Sequence, residues 1–219
     1  IGRIAALDAG LGVRVPGLQL DRRCGSGLQA VLDAAMRGQT GVCTTVIAGG
    51  AESMSQAEHY VLGGRFGLRG DSSTLWDRIA RGRITSGGKH HPVAGGMLET
   101  AENLRREFGI SRDAQDKLAL RSHERAVAAQ RSGRFAEEIV PVKVKGKGGA
   151  KDLSVDEHPR ADASLESLAS LKPVRIGIDA ESTVTAGNAS GQNDGAAACI
   201  VTTRSMADKL GLKPYGRLV

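Results

Sequence analysis

Two short apolar runs, residues 44–48 (Thr-Thr-Val-Ile-Ala) and residues 196–202 (Ala-Ala-Ala-Cys-Ile-Val-Thr), contain no charge, and most of the chain's length separates them. Such runs suit strands buried on both faces of a sheet, so one sheet that holds both makes everything between them an excursion. Ahead of the first run the pattern alternates: a helix over residues 2–9, a strand over 17–22, a helix over 26–37, then the 44–48 strand. That alternation predicts an α/β layered sheet. The chain is therefore expected to divide into a discontinuous sheet domain, residues 1–60 and 184–219, and an inserted domain, residues 61–183.

The insertion reads as a Gly-rich irregular part over residues 63–96, followed by two helices and a polar hairpin over 142–155. The first helix, 97–108, stops at Gly109. Ser111 caps the second, which continues toward Gly133 with Leu118, Ala119, Ser122, Ala126 and Ala129 on adjacent faces. Lys143, Lys145, Lys147 and Lys151 fall at the hairpin, where an exposed tip accounts for them better than a phosphate site.

A formal net charge of +6 suits either nucleic acid or a small polyanion such as the phosphates of a nucleotide-bearing substrate. With three Phe, two Tyr and one Trp, the chain lacks the stacking platforms of single-strand binders, which argues against nucleic acid. The cysteines, Cys24, Cys43 and Cys199, are far apart and form no C-x-x-C pair. Neither a disulfide framework nor a zinc site is indicated, and a reducing, cytoplasmic setting is expected. No apolar run is long enough to span a bilayer, and the opening residues do not read as a signal peptide. The chain opens on Ile1 rather than Met, so its true N-terminus is expected to lie outside it.

Cys24 sits where the 17–22 strand signal gives way to helix. A thiol at the first turn of a helix faces unpaired N–H groups and the positive end of the dipole, which favour thiolate and suit a nucleophile. Gly25 and Gly27 remove bulk around the sulfur, while Leu28, Val31, Leu32 and Ala35 supply the expected buried stripe of the helix. Taken alone, a thiol is more often an inert core residue than a nucleophile.

Two further segments carry local signals. Gly49-Gly50-Ala51-Glu52-Ser53-Met54-Ser55 follows a strand, so its glycines serve either a tight turn or the close approach of a substrate or second chain. Thr185-Ala186-Gly187-Asn188-Ala189-Ser190-Gly191-Gln192-Asn193-Asp194-Gly195 leads small and amide residues into a strand, as suits a loop whose backbone a polar ligand approaches. Its glycine spacing is not a dinucleotide fingerprint, and residues 82–89 do not make a P-loop. The histidines, His59, His90, His91, His123 and His158, show no metal-binding spacing, and nothing in the sequence selects one as a base for Cys24.

Together these residues resemble the thiolase family, the coenzyme A acetyltransferases and 3-ketoacyl-CoA thiolases, over the whole chain. Arg23-Cys24-Gly25-Ser26-Gly27-Leu28-Gln29-Ala30 is similar to the family's nucleophile segment, residues 49–55 to its G-G-x-E-S-M-S, and residues 185–195 to its T-A-G-N-A-S-G-x-N-D-G. Residues 97–102 and Asp156-Glu157-His158-Pro159-Arg160 add matches within the family's loop domain. The resemblance implies a thiolase-like fold of two similar α/β halves, of which this chain holds a partial N-terminal βαβ half with an inserted α-rich loop domain.

It also implies a two-step acyl transfer through an acyl-cysteine, with Cys24 as nucleophile and its own N–H helping to hold the thioester oxyanion. By motif position Ser190 and Ala186 would face the pantetheine arm, Met97 the acyl end, and Arg160 with Ser167 the adenine nucleotide. Acyl-CoA and CoA are the implied partners, CoA being substrate rather than resident cofactor, with no metal; a homodimer or homotetramer in fatty acid metabolism is the implied setting.

Gly96 and Leu98 flank Met97 where many members have His and Gly, so the acyl chain length is not fixed, and a short-chain acetyl-CoA acetyltransferase is slightly preferred. The family's later N-E-A-F, G-H-P and C-x-G segments have no counterpart here, and His90-His91-Pro92 lies in the insertion, apart from the true motif. The expected object is thus a fragment, truncated at both ends, inactive alone and marginally stable. A non-catalytic CoA-binding or oligomerisation module is the alternative, and a ketoacyl-synthase-type condensing enzyme a third reading that the 49–55 and 185–195 segments disfavour.

Overall fold

The computed structural model describes residues 1–70, 72–92, 95–146 and 148–218. Lys147 of the basic hairpin and Asp71, Val93 and Ala94 of the Gly-rich stretch lie outside the described residues. In chain order the elements are α1 (Gly2–Asp8), α2 (Ser26–Gln39), β1 (Thr45–Glu52), β2 (His59–Tyr60), β3 (Trp76–Asp77), α3 (Arg78–Ile84), α4 (Gly96–Phe108), α5 (Arg112–Arg131), β4 (Val142–Gly146), β5 (Gly149–Leu153), α6 (Leu165–Ala169), β6 (Gly195–Thr202) and α7 (Arg204–Lys209). They form two compact units, one of residues 1–56 and 193–219, the other of residues 57–192.

In the first unit β1 and β6 pair antiparallel from Thr45↔Thr202 to Glu52↔Gly195, and Thr45 and Thr202 add a hydroxyl contact of 3.1 Å across the pair. A Cβ on Gly49 would stand 2.6 Å from the Ala197 carbonyl oxygen, so glycine here serves the approach of the partner strand; Gly50 faces open space. Helix α2 lies on this ribbon and buries Ala34 against it, with Ala48 buried from β1. Thr203 caps α7, whose Ala207 is buried.

Three sequence-based expectations need correction in this unit. Residues 17–22 do not form a strand: no strand runs beside them among the described residues, and a strand without a ladder has nothing to hold it. Residues 17 and 18 lie against α1 instead, where a Cβ on Gly17 would meet the Arg3 nitrogen at 2.3 Å, and the sheet has two strands rather than three. The 196–202 run is a strand but not a buried one, with Ile200 64% exposed. Leu28 and Leu32 are also exposed, because α2 meets the ribbon along Ala34, with Val31 and Ala35 half-buried, and turns its leucines away.

In the second unit Asp77 accepts from the amides of Ile79 and Ala80 and starts α3 inside a stretch expected to be irregular. The helix is held because the Arg81 guanidinium lies over both the Tyr60 ring (5.7 Å) and the Trp76 ring (5.3 Å), which β2 and β3 pair. Helix α4 ends at Gly109 with φ 61°, and Ser111 caps α5 by accepting from the Ala114 amide. The hairpin β4–β5 runs from Val142↔Leu153 to Gly146↔Gly149, as its sequence predicts. Leu168 of α6 and Val184 of the returning chain are buried.

Polar groups hold this return. Glu102 of α4 is fully buried and accepts from the amides of Thr183 and Val184, both at 2.8 Å, and from Arg105 at 3.1 Å. Burial pushes its carboxyl up, but the two amides and the guanidinium outweigh that and hold it below the ordinary carboxylate range. Arg105 continues the network to Asp179 at 3.0 Å.

Candidate active site

Cys24 occupies a single helical turn, Arg23–Gly25, that runs directly into α2. Local bonds set this corner. The Arg23 amide donates to Asp21, the Arg22 amide donates to the Ser26 hydroxyl at 2.8 Å, and that hydroxyl donates back to the Arg23 carbonyl at 2.8 Å. Arg23 has φ 54°, the left-handed region, and is alone among the described non-glycine residues in doing so. The thiol is exposed, and no acceptor among the described residues takes up the Cys24 N–H. An exposed thiol and an unpaired donor thus share one residue at the N-terminal end of a helix.

The other candidate residues all lie in the second unit. Met97 is 66% exposed in the first turn of α4. Ala186 and Ser190 are exposed on a loop whose interior is tightly bonded. Asn188 turns inward: its amide donates to Asp116 (2.9 Å) and to the Thr183 carbonyl (3.2 Å), and its oxygen accepts from the Thr185 amide (2.7 Å). Asp116 is in turn paired with Arg112 at 2.8 Å. A Cβ on Gly187 would stand 2.5 Å from Leu171, so the loop also packs its glycine closely. Asn188 therefore shapes the loop, while Ala186 and Ser190 present its outer side.

Arg160 lies in the segment leading into α6, and Ser167 is the third residue of that helix. The Arg160 guanidinium is exposed and pairs with Asp162 through two contacts of 3.3 and 3.2 Å, and this pairing is the main reason the Asp162 carboxyl lies below its ordinary value. Arg160 borders a cleft of ≈ 260 Å³ whose walls are Leu120, Val127, Ala128, Ala161 and Ala163, with Glu124 and Arg131 beside them. Its apolar walls suit a flat ring, and the Arg160 and Arg131 guanidinium groups, set against the Glu124 carboxylate and the Asp162 partner of Arg160, can face a polar substituent on it. Ser167 is engaged in a capping box: its hydroxyl accepts from the Ser164 amide and gives its proton to the Ser164 carbonyl at 2.9 Å. A lone pair, not a proton, is what Ser167 can offer a ligand.

The ends of the 49–55 and 185–195 segments, Ser55 and Asp194, meet in the first unit. Asp194 accepts from the Ser55 amide at 2.9 Å and from the Ser55 hydroxyl in a short hydrogen bond. The Ser55 hydroxyl and then its amide are the largest of the influences that hold the Asp194 carboxyl below the ordinary range. Nothing local in the sequence selects this contact, since the two residues are 139 positions apart.

The model of the thiolase N-terminal domain matches residues 1–205. The chain belongs to the thiolase family. Among curated thiolases it is 43% identical to the beta-ketothiolase BktB of Cupriavidus necator, over 100% of this chain and 54% of the relative. It is 44% identical to an acetyl-CoA acetyltransferase of the same organism, over 99% of this chain and 53% of that one. The chain spans about half the length of the curated relatives it matches. Among solved thiolases, the crystal structure of human mitochondrial 3-ketoacyl-CoA thiolase superposes with a TM-score of 0.88 at 37% identity, covering 97% of this chain and 52% of that one. The Bacillus anthracis acetyl-CoA acetyltransferase gives 0.87 at 41% identity, with the same coverage of 97% and 52%. The partial α/β fold is thus a partial thiolase fold.

Among the described residues no helix is long and apolar enough to cross a membrane, and no three His, Cys, Asp or Glu side chains gather as a metal site.

Proposed function

We propose that the protein takes part in thiolase acyl transfer, with Cys24 as the acyl carrier. In the first step the Cys24 thiolate attacks the carbonyl carbon of an acyl-CoA thioester. The new S–C bond forms as the old one breaks, and CoA leaves as its thiolate and takes up a proton. In the second step a second acyl-CoA, deprotonated beside its thioester, attacks the acyl-cysteine, releasing Cys24 and forming a 3-ketoacyl-CoA. The reverse direction cleaves the same bond with CoA as acceptor. The proton-abstracting group of the second step is not among the residues assigned to this chain.

The observation that carries this reading is the exposed thiol on a left-handed corner at the start of α2, with its own N–H free to meet an oxyanion. Met97, Ala186 and Ser190 are proposed to face the acyl and pantetheine portions. Arg160, with the lone pair of Ser167, is proposed to face the adenine nucleotide, a role its cleft supports. Acetyl is the proposed acyl group, in keeping with the named acetyl-CoA acetyltransferases among the relatives. No resident cofactor is required, since CoA is itself a substrate. A homo-oligomeric enzyme of fatty acid metabolism in the reducing cytoplasm is the proposed setting, to which three free cysteines are suited.

The test is acylation by radiolabelled acetyl-CoA. In the whole protein of which this chain is expected to be a part, label should appear on the wild type and vanish in Cys24→Ser. Label that persists in the variant removes Cys24 from its role, and CoA binding without any acylation of the wild type replaces the catalytic reading with a binding one.

A further inference from the structure

The segment Asp156-Glu157-His158-Pro159-Arg160 is clipped to one face of α5 at two points. Gln130 donates to the Asp156 carbonyl at 2.9 Å, and His123 Nδ1 accepts from the Arg160 amide at 3.2 Å. The two α5 residues are two turns apart, so the segment runs along the helix and delivers the Arg160 side chain to the ≈ 260 Å³ cleft that Leu120 and Val127 of the same helix also line. The His158 ring stacks on His123 with centroids 6.0 Å apart and an interplanar angle of 28°.

The second clip exists in only one protonation state. An imidazole nitrogen accepts a hydrogen bond when it bears no proton, so His123 must be neutral with its proton on Nε2. A second proton turns Nδ1 into a donor facing a donor. It also places a cation against His158 and Arg160 and beside Asp162, the carboxylate that Arg160 uses as its partner. These groups face His123 from the clipped segment, and Glu124 and Arg131 line the cleft from α5 itself. The donor-donor clash, the repulsion between imidazolium and guanidinium, and the competing attraction for Asp162 all act to free Arg160 from its present position.

We infer that His123 is a positioning residue that holds Arg160 at the nucleotide cleft, and that protonation of its ring releases the arm. The inference rests on the CoA reading of that cleft. It makes the grip on the nucleotide end of the substrate pH-dependent while the pantetheine end is untouched.

The test measures the affinity of the full chain for CoA and for pantetheine between pH 8 and pH 5.5, in wild type, His123→Asn and His123→Leu. Asn keeps an acceptor near the Nδ1 position and does not titrate. Because the 3′-phosphate of CoA also gains a proton in this range, the quantity read is the wild-type change relative to that of His123→Asn. Wild type should lose roughly five-fold more CoA affinity than His123→Asn as the pH falls, and His123→Leu should be weaker by about the same factor already at pH 8. Pantetheine affinity should not separate the three. Equal pH dependence in wild type and His123→Asn overturns the role of His123 while leaving CoA binding intact. Absence of CoA binding by the wild type at any pH overturns the CoA reading itself, and the inference with it. Side-chain ¹⁵N spectra of the wild type give a reading without any variant: an Nε2–H tautomer at pH 8 is expected, and an Nδ1–H tautomer sinks the proposal.

Discussion

Arg23 bears a left-handed backbone directly before Cys24, a conformation that costs a side-chain-bearing residue about 1–2 kcal/mol. Glycine adopts it freely, so Arg23→Gly should leave the first turn of α2 about 1 kcal/mol more stable than Arg23→Ala does, read from amide hydrogen exchange in that turn; equal protection would mean the corner is not strained. Asp194 supplies a pH dependence whose sign follows from its bonds to Ser55. Its folded carboxyl lies below the ordinary value of 3.8, so its stabilisation is complete above that value and fades as pH falls through the lower, folded one. Protection of the amides around Ser55, corrected for intrinsic exchange, should therefore drop on acidification in wild type and be low and flat in Asp194→Asn. At this scale the placement of Cys24 at a helix start is legible because its cue is local: a thiol, then small residues opening a helix. The φ of Arg23 is not, because arginine has no preference for that region. Residues 185–195 read as a loop whose backbone a ligand approaches, and within it the Asn188 side chain points inward to Asp116, a partner that the intervening chain brings to it. His123 has no cue at all, since what it holds arrives from another segment.

Helix α2 shows what a pattern of apolar residues does and does not specify. Its apolar positions predict a helix with a buried stripe, and the helix is present, but the ribbon covers the face of Ala34 while Leu28, Leu32 and Met36 stay exposed. Hydrophobicity marks surfaces that want cover; which one receives it depends on the elements alongside. The same holds for the 17–22 stretch, whose strand propensity has no neighbour to realise it. The β1–β6 pairing, by contrast, follows from the two uncharged runs, and its register makes a sharp contrast between adjacent glycines. Gly49→Ala pushes a methyl against the Ala197 carbonyl and should weaken the ribbon by about 1–3 kcal/mol, whereas Gly50→Ala enters open space and should leave it unchanged or slightly firmer. Exchange protection along β1 and β6 distinguishes the two, and equal losses would refute the close approach. In the second unit, Glu102→Gln removes a charge that two amides and Arg105 share. It should cost about 2–4 kcal/mol, seen as faster exchange of the Thr183 and Val184 amides that donate to it.

The chain exposes 17145 Å², and no other number says as much about the molecule as a whole. A folded monomer of 22.8 kDa exposes roughly 9,600 Å², and two separate domains of half that mass would together expose roughly 11,500 Å². Division into two units therefore does not account for the excess, to which exposed apolar side chains such as Ile47, Ile200 and Leu28 contribute. The 219-residue chain should bind a hydrophobic dye strongly and melt over a broad range, and weak dye binding with a sharp cooperative melt would contradict this. A chain of 219 residues is long enough for a sizeable core, but burial is a property of surfaces brought together, not of the residues that carry them, and the exposure agrees with the marginal stability expected of a fragment. The clasp between Ser55 and Asp194 has a different kind of consequence. It sits just beyond the last rung of the ribbon, Glu52↔Gly195, and ties the point where the chain departs to the point where it comes back. Closing a loop becomes harder only with the logarithm of its length, about 0.6 kcal/mol for each doubling. What is threaded between those two residues is thus free to lengthen, shorten or be exchanged for another cassette over evolutionary time, while the ribbon and the cysteine corner keep their register.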